Sequence, residues 1–378
     1  LNVLSLQESK GLELDEFDSH LKPFGISRAL LASLIDTFAH AKTFGSLIQI
    51  PEALDNGLGT LADGLGKAMQ SGDVFAQTAA QDLLPLVWQA KVLAMMCDAV
   101  VANPPYMGAK GMNSEMKSFA KRNFSDTKAD LFAMFIQRGF GWCKMTSFNS
   151  MVTMQSWMFL SSYDVMRGNI LNNRTVQTMA HLGARAFGEI SGEVVQTTAF
   201  VLQKHHQIGF KPVFFRLVDG LEAEKAAALE SGKYRHDQTV QDDFKKIPGG
   251  PIAYWVGDNV RNAFERMQSF RELGNPKVGM QTSNNGHYLR FWWEIRFNEV
   301  GESAFSAAPK WIAYLKGGPF RRWYGNLEYL LRYNHNADYI LAQPNATVLP
   351  LSRLSDPKCS WTDLTSGPFN CRLAPNRS

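Results

Sequence analysis

No uninterrupted apolar stretch in this sequence is long enough to cross a bilayer, and no signal peptide opens it, so neither a membrane span nor secretion is indicated. Cysteine is scarce. Cys97, Cys143, Cys359 and Cys371 are scattered without the paired spacing of a metal site, which points to reduced thiols in a cytoplasmic protein. The eight histidines form no ligand pattern, and His205 and His206, being adjacent, cannot face one way on a strand, so no metal is expected. A phosphate-binding loop ending in Gly-Lys-Ser/Thr is missing, which argues against nucleotide hydrolysis. No Ser/His/Asp arrangement can be argued from spacing. Glycine-rich loops after a valine-rich strand are also missing. Gly57-Leu-Gly59 and Gly64-Leu-Gly66 sit instead in a Gly/Ala/Asp-rich run that reads as surface helix and turn. There is no internal repeat and no long low-complexity tract. What remains is 45% hydrophobic and 20% charged over 378 residues, the composition of a folded chain with two or three domains.

The most informative stretch is Asp98-Ala-Val-Val-Ala-Asn-Pro-Pro-Tyr106. Cys97 to Ala102 has the valine-rich composition of a buried parallel strand. Pro104 and Pro105 cannot donate ladder hydrogen bonds, so the strand must stop there, at the sheet edge where α/β folds bind ligands. The Asn103 side-chain oxygen and the Pro104 carbonyl are two neutral acceptors on a stiff turn, suited to the two N–H bonds of an exocyclic amine. Held so, the nitrogen directs its lone pair outward, towards an electrophile. Tyr106 offers a face for a planar heterocycle. An already activated electrophile needs no acid–base residue, and catalysis then rests on proximity and orientation.

Asn103-Pro-Pro-Tyr106 after an apolar strand resembles the catalytic motif of adenine-N6 DNA methyltransferases that use S-adenosylmethionine. The longer run Val100 to Asn113 resembles one branch, the adenine-specific methyltransferases (PglX family) of BREX phage-defence systems. So do Lys42–Pro51, Trp157–Tyr163 and His181-Leu-Gly-Ala-Arg-Ala-Phe187. The resemblance implies a prokaryotic, cytoplasmic enzyme that flips an adenine from double-stranded DNA and marks host DNA in company with other defence proteins. It implies catalytic roles for Asn103, Pro104, Pro105 and Tyr106. It also implies that Phe187 sandwiches the extruded base against Tyr106; a loop phenylalanine capping a core is the alternative. Asn103 would lie against the cofactor as well. Gln7-Glu8, after a strand-like Asn2–Leu6, stands where a third cofactor contact is expected, or is a solvated strand end. Family members enter the strand after the catalytic one through a Gly-Gly turn, and Thr146-Ser-Phe148 occupies that place here.

The pattern predicts helices over Ser27–Lys42 and Gln77–Met96, both covering the sheet, with Phe44–Ile50 a strand or an extended segment between them. After Tyr106 comes a glycine-bearing loop in which Lys110 meets a phosphate or solvent. Then follow a helix over Asp130–Cys143, a strand over Phe148–Gln155, a helix over Tyr163–Leu171, and strands over Thr175–His181, Glu193–Gln203 and Val213–Val218. Glu222–Ser231 is helical, Lys233–Pro251 reads as a linker, and Val260–Leu273 is helical again.

Residues 261–335 hold 11 Lys+Arg against 6 Glu and no Asp, a balance of +5 that exceeds the +4 of the whole chain. Aromatic residues are interleaved there, from Tyr288 and Trp292-Trp293 to Trp323-Tyr324, as on a DNA-facing surface. The runs Gly279–Arg290 and Lys316–Tyr324 resemble parts of a target recognition domain. Lys316, Arg321 and Arg322 are the expected phosphate contacts there, and Gln281, Asn284 and Asn285 the polar contacts. The chain opens at Leu1 directly in strand-like sequence and closes at Ser378 inside an unfinished pattern, so a piece of a longer protein, inactive alone, is expected. The expected fold is α/β: residues 1–220 form a class I (Rossmann-like) methyltransferase sheet, mostly parallel and incomplete on its N-terminal side. Residues 221–272 form a connection and 273–378 the start of an α+β recognition domain. Two other functions remain open: a non-catalytic DNA-binding component, and a protein-glutamine N5 methyltransferase, against which the basic region 261–335 argues.

Overall fold

The structure is a computed structural model that describes residues 3–187, 195–274, 276–300, 310–353, 358–362, 368 and 370–374. Its contacts divide the chain into two units, Leu1–Met267 and Gln268–Ser378.

The first unit begins with helices α1 (Leu14–Leu21), α2 (Arg28–Phe38), α3 (Ala41–Phe44), α4 (Glu52–Met69) and α5 (Val74–Ala94). Ser27 and Asp73 cap α2 and α5 with their side-chain oxygens. Leu31, Leu34 and Phe38 pack with Leu54, Leu61, Leu65, Leu83 and Ala90 into a core belonging to α1, α2, α4 and α5. These helices therefore bury their stripes against one another, not against the sheet as expected. The glycine-rich run proves to be the interior of α4. A Cβ on Gly57 would meet Leu30 Cδ2 at 2.4 Å, and one on Gly64 would meet Ile26 Cγ1 at 2.5 Å, so both glycines permit close helix approach. Gly59 and Gly66 face open space. Among the described residues the expected strand at the start is also absent: residues 3–9 form no strand, and the backbone of Gln7 exchanges hydrogen bonds with the buried Gln89 side chain at 2.9 Å each. Gly45–Leu47 forms a 3-10 turn and no strand.

The sheet follows. Strand β1 (Cys97–Ala102) leads to α6 (Ser114–Asn123), α7 (Leu131–Trp142), β2 (Cys143–Met154) and α8 (Asp164–Asn173). Then come β3 (Thr175–Gly183), β4 (Thr197–Gln203), β5 (Val213–Arg216), α9 (Glu222–Glu230), β6 (Arg235–His236) and α10 (Asp258–Arg266). The strand order is β1-β2-β4-β3-β5-β6. Strands β1, β2, β3 and β5 run one way, and β4 and β6 run the other. The expected α/β class holds, but the sheet is mixed and not mostly parallel, since β4 pairs antiparallel with β2 and β3, and β6 with β5. Residues 193–194 of the predicted long strand lie outside the described residues.

One sheet face carries Val100, Met151, Phe200, Leu202, Val176, Met179 and Phe214, packed under α7 and α8 through Phe132, Ile136, Met166 and Ile170. Gly139 in α7 lies so close to β2 that a Cβ would meet the Asn149 amide at 2.7 Å and Met151 Cε at 2.8 Å. The stretch expected to be a linker belongs to this core as well. Phe244, Ile252 and Tyr254 are buried, and the Tyr254 ring stacks on Phe214 at 4.4 Å between centroids. Arg138 joins the helical bundle to the sheet, donating to the carbonyls of Ser46, Ile48 and Leu93. Where β2 begins, the single residue Asp98 of β1 faces four of β2, Lys144 to Ser147, and Thr146 in that bulge sits at φ 65°. A glycine would adopt that backbone without a Cβ penalty.

The second unit holds α11 (Phe270–Leu273), α12 (Asn285–Tyr288), β7 (Leu289–Phe291), β8 (Trp311–Tyr314), β9 (Tyr329–Arg332), α13 (Asp338–Leu341), β10 (Lys358–Ser360) and β11 (Arg372–Ala374). Strands β7-β9-β8 form an antiparallel sheet over Tyr288, Ile312, Leu331, Tyr333 and Ile340. The antiparallel pair β10–β11 brings Cys359 and Cys371 together in a disulfide, which corrects the expectation of four reduced thiols; Cys97 and Cys143 are free. Among the described residues no helix is long and apolar enough to cross a membrane, and no cluster of three metal-ligating side chains exists.

Candidate active site

The carboxyl ends of β1, β2 and β3 lie on one edge of the sheet, because all three strands share a direction. Asn103 leaves that edge directly after β1. It is exposed, Pro104 is buried beneath it, Pro105 is exposed and Tyr106 is half-buried. The proline pair ends the ladder as the sequence requires, so the Asn103 amide and the Pro104 carbonyl stand at the sheet rim.

Tyr106 is fixed from below. Its ring meets Phe132 edge-on with centroids 6.2 Å apart, and its hydroxyl donates to the Val152 carbonyl of β2 at 3.4 Å. Burial raises the tyrosine pKa, so the ring stays neutral. The next residue is tied down by Asp130, the N-cap of α7. One Asp130 carboxylate oxygen accepts from Met107 N at 3.0 Å and from Phe132 N at 3.3 Å. The Leu131 N–H donates back to the Met107 carbonyl, and Gly108 bridges to Asp130. Burial pushes the Asp130 carboxyl up, while the backbone N–H groups of Met107, Phe132 and Leu131 pull it down. No role for Asp130 emerges from the sequence reading, although an aspartate directly before Leu-Phe-Ala-Met-Phe-Ile is a helix-start signal.

Phe187 is exposed and follows β3 on the same edge. Strands β2 and β4 intervene, so the tips of β1 and β3 are three strand spacings apart, roughly 14 Å. The root of the Phe187 loop is held by Lys225 of α9, whose ammonium donates to the carbonyls of Leu182 and Ala184. Residues 188–192 of this loop lie outside the described residues. A buried hydrogen-bonded group stands beside it. His181 Nδ1 is 3.0 Å from the Tyr254 hydroxyl, and its Nε2 is 2.6 Å from Gln155 Oε1. Burial lowers the His181 pKa to about 4, helped by the positive charges of Arg216 and Lys225.

Gln7 and Glu8, expected beside a cofactor, are occupied in the helical bundle. Gln7 pairs with Gln89, and Glu8 accepts the Lys42 N–H at 3.1 Å. Neither follows a strand, which corrects the reading that placed them there. Among the described residues, β1 is the only sheet strand preceding the Asn103 turn, and no glycine loop precedes it. The described residues thus fit the methyl-accepting side of the expected chemistry, and no glycine loop among them fits the donor. A cleft of about 630 Å3 opens elsewhere in this unit, lined by Asp36, His40, Phe44, Glu115, Phe119 and Arg122 among others.

Comparison with known proteins bears on this edge. The family described as Eco57I restriction-modification methylase matches residues 35–187, the span from α2 to Phe187. The chain is 42% identical to the adenine-specific methyltransferase BrxX of Escherichia coli O9:H4 (strain HS), over 99% of its own length and 33% of that protein. It is 32% identical to the adenine-specific methyltransferase PglX of Lacticaseibacillus casei (strain Zhang), over 97% of its length and 32% of that protein. In sequence, the chain is similar to BrxX and PglX over nearly its whole length. It spans about a third of the length of these two relatives. Among solved structures, a putative class I S-adenosylmethionine-dependent methyltransferase from Listeria monocytogenes is 14% identical with a TM-score of 0.29, over 60% of this chain and 80% of that one. The DNA-bound Type IIL restriction-modification enzyme MmeI is 14% identical with a TM-score of 0.37, over 66% of this chain and 31% of that one.

The residues expected to touch DNA belong to both units. Lys110 is exposed on the turn after Gly108. The others belong to the second unit. Asn285 and Lys316 line one cleft of about 320 Å3 together with Arg290, Phe291, Glu294 and Tyr329. The Lys316 ammonium sits 4.4 Å over the Tyr329 ring. Asn284 spends its side chain capping α12, and Gln281 pairs its backbone with Thr347. Arg321 and Arg322 are exposed on the segment between β8 and β9, beside the exposed rings of Phe320, Trp323 and Tyr324.

Proposed function

We propose that this chain carries the adenine-holding part of a site-specific DNA adenine-N6 methyltransferase that marks host DNA in a BREX-type phage defence. The observation that carries the reading is the exposed Asn103 at the carboxyl edge, on a strand stopped by two prolines, with a half-buried tyrosine beside it. Asn103 Oδ1 and the Pro104 carbonyl accept the two N–H bonds of the adenine amine. Neither acceptor titrates near neutral pH, so their hold does not depend on a proton. Tyr106 and Phe187 clamp the ring from its two faces, after the base has left the duplex at a cost of a few kcal/mol. S-adenosylmethionine supplies an electrophilic sulfonium methyl group. The chain's own part is to fix the amine nitrogen in line with that methyl group and to keep its lone pair free.

Residues Gln268–Ser378 act as the beginning of a target recognition domain. Arg321, Arg322, Lys316 and Lys110 meet phosphates, and Gln281, Asn284 and Asn285 make polar contacts. Similarity to adenine-specific methyltransferases over nearly the whole chain supports both assignments.

Methylation-aware sequencing of DNA from cells with and without the gene tests the activity and reveals the recognised site. In the complete enzyme, Asn103→Ala is expected to abolish adenine methylation and to leave DNA affinity within about twofold, since phosphate contacts dominate that affinity. Methylation that survives in Asn103→Ala removes Asn103 from the mechanism. DNA binding without methylation in the unaltered enzyme favours the DNA-binding component instead.

A further inference from the structure

We propose that residues 319–326 form a stacking platform for a nucleobase of DNA that has left its stack, with Trp323 as the ring that meets it. This rests on the DNA-binding role proposed above for the second unit. The Trp323 indole is 68% exposed, and the rings of Phe320 and Tyr324 beside it are exposed as well. Arg321 and Arg322 are exposed in the same run, and the Arg322 guanidinium lies 5.8 Å over the Phe320 ring.

The backbone holds this ring out of the core. Trp323 sits at φ 68°, a left-handed conformation in which the Cβ of a bulky residue is crowded. It is kept there from both sides. The Trp323 N–H donates to the Cys371 carbonyl at 3.0 Å, and the Leu373 N–H donates to the Trp323 carbonyl at 2.8 Å. The rest of the loop is built as tightly. Asn326 is buried, left-handed at φ 60°, and donates from its side-chain amide to the Pro319 carbonyl at 3.2 Å. Gly325, at φ 124°, lies so near the Arg321 stem that a Cβ would meet Arg321 Cδ at 2.4 Å. Strain of this kind marks a residue held for binding, because the displayed ring repays none of it by burial.

An exposed indole beside two guanidinium groups fits a ligand that is planar and anionic at once, an aromatic base next to its phosphates. The surrounding charge favours a polyanion, since residues 261–335 carry 11 Lys+Arg against 6 Glu. In a closed duplex both faces of each base are covered by its neighbours. Trp323 therefore finds a face to meet only where a step has opened or a base has swung out. The platform responds to unstacking and not to sequence, because every base offers a π-face.

The test measures the affinity of the full-length protein for two duplexes by fluorescence anisotropy over a series of salt concentrations. One duplex is fully paired, and the other has the same sequence with a single extra nucleotide bulged from one strand. A bulged base leaves its stack at lower cost. The unaltered protein should bind the bulged duplex roughly tenfold more tightly, within the range of one base–aromatic stack. Trp323→Ala should bring the two affinities within about twofold of each other and leave the slope of log affinity against log salt unchanged. Trp323→Phe should keep most of the preference. Arg322→Ala should do the reverse, flattening the slope by about one charge and keeping the preference. A preference that survives Trp323→Ala overturns the proposal, as does one lost in both Trp323 variants together with a lowered melting temperature. If the unaltered protein binds DNA without preference, the platform alone fails. If it binds neither duplex, the DNA-binding reading fails first and the platform falls with it.

Discussion

The carboxylate of Asp130 accepts the backbone N–H of Met107 at 3.0 Å, and the same oxygen caps α7 at Phe132. One side chain therefore starts the helix that covers β1 and β2 and also pins the turn that presents Asn103. Helix stability and site geometry are coupled through it.

Asp130→Ala should destabilise the protein by about 1–2 kcal/mol, the usual cost of a lost N-cap. It should lower adenine methylation further than that loss explains, because Met107 directly follows Tyr106. Asp130→Asn keeps an acceptor and should retain most of both. Thermal melts read alongside methylation rates decide the matter: an Asp130→Ala enzyme with full activity would uncouple the cap from the site.

Thr146 carries a β-branched side chain at φ 65°, in the bulge where β2 begins. The backbone there favours glycine, the residue that the resembled family places at this entry. Thr146→Gly should raise stability by roughly 0.5–1 kcal/mol, after the greater entropy of an unfolded glycine is set against the relieved strain. Denaturant melts with an unchanged slope check this. A destabilised variant would mean that Thr146 contributes contacts worth more than its strain.

His181 gives a pH signature. Its pKa is pushed from 6.5 down to about 4 by burial and by the charges of Arg216 and Lys225. Below pH 6.5 the unfolded chain binds a proton that the folded protein refuses, so folding stability must fall as pH drops towards 4. The contribution is complete above pH 6.5, and its full loss at pH 4 is on the order of 3 kcal/mol. Melting temperatures measured from pH 7 to pH 4.5 should decline less steeply for His181→Gln than for the unaltered protein. Parallel curves would show that His181 titrates normally.

The strand and its tip were legible because their signals are local. A valine run, two prolines and a tyrosine specify an end of β1 whatever surrounds it. The helices were legible for a similar reason: Leu31, Leu34 and Phe38 share a stripe that must be covered. What covers the stripe is not local, and α2 and α5 pack with α4 where the sheet had been expected. The glycines of α4 misled by composition, since only the approach of Leu30 and Ile26 shows why positions 57 and 64 lack side chains.

Lys233–Pro251 misled for the opposite reason. Its polar sequence hides single anchors such as Phe244 and Gln241, whose side-chain amide donates to the carbonyls of Leu171 and Arg174. Residues 3–9 pair with no strand; the Gln89 side chain and the Phe38 carbonyl take up backbone hydrogen bonds of Gln7 and Ser9 instead. Of the proposed site, Asn103 and Tyr106 are the residues that the motif singles out. Asp130, His181 and Tyr254 were not legible, because their partners lie 23 to 73 residues away in sequence.

Strand β1 ends the described sheet, with no partner on its outer side, and Val101 on it is 79% exposed. Such a rim offers a row of peptide groups to any passing extended segment, and its neighbouring apolar surface rewards the match. The six residues that aim Asn103 thus also form an open edge, at which an added extended peptide is expected to pair.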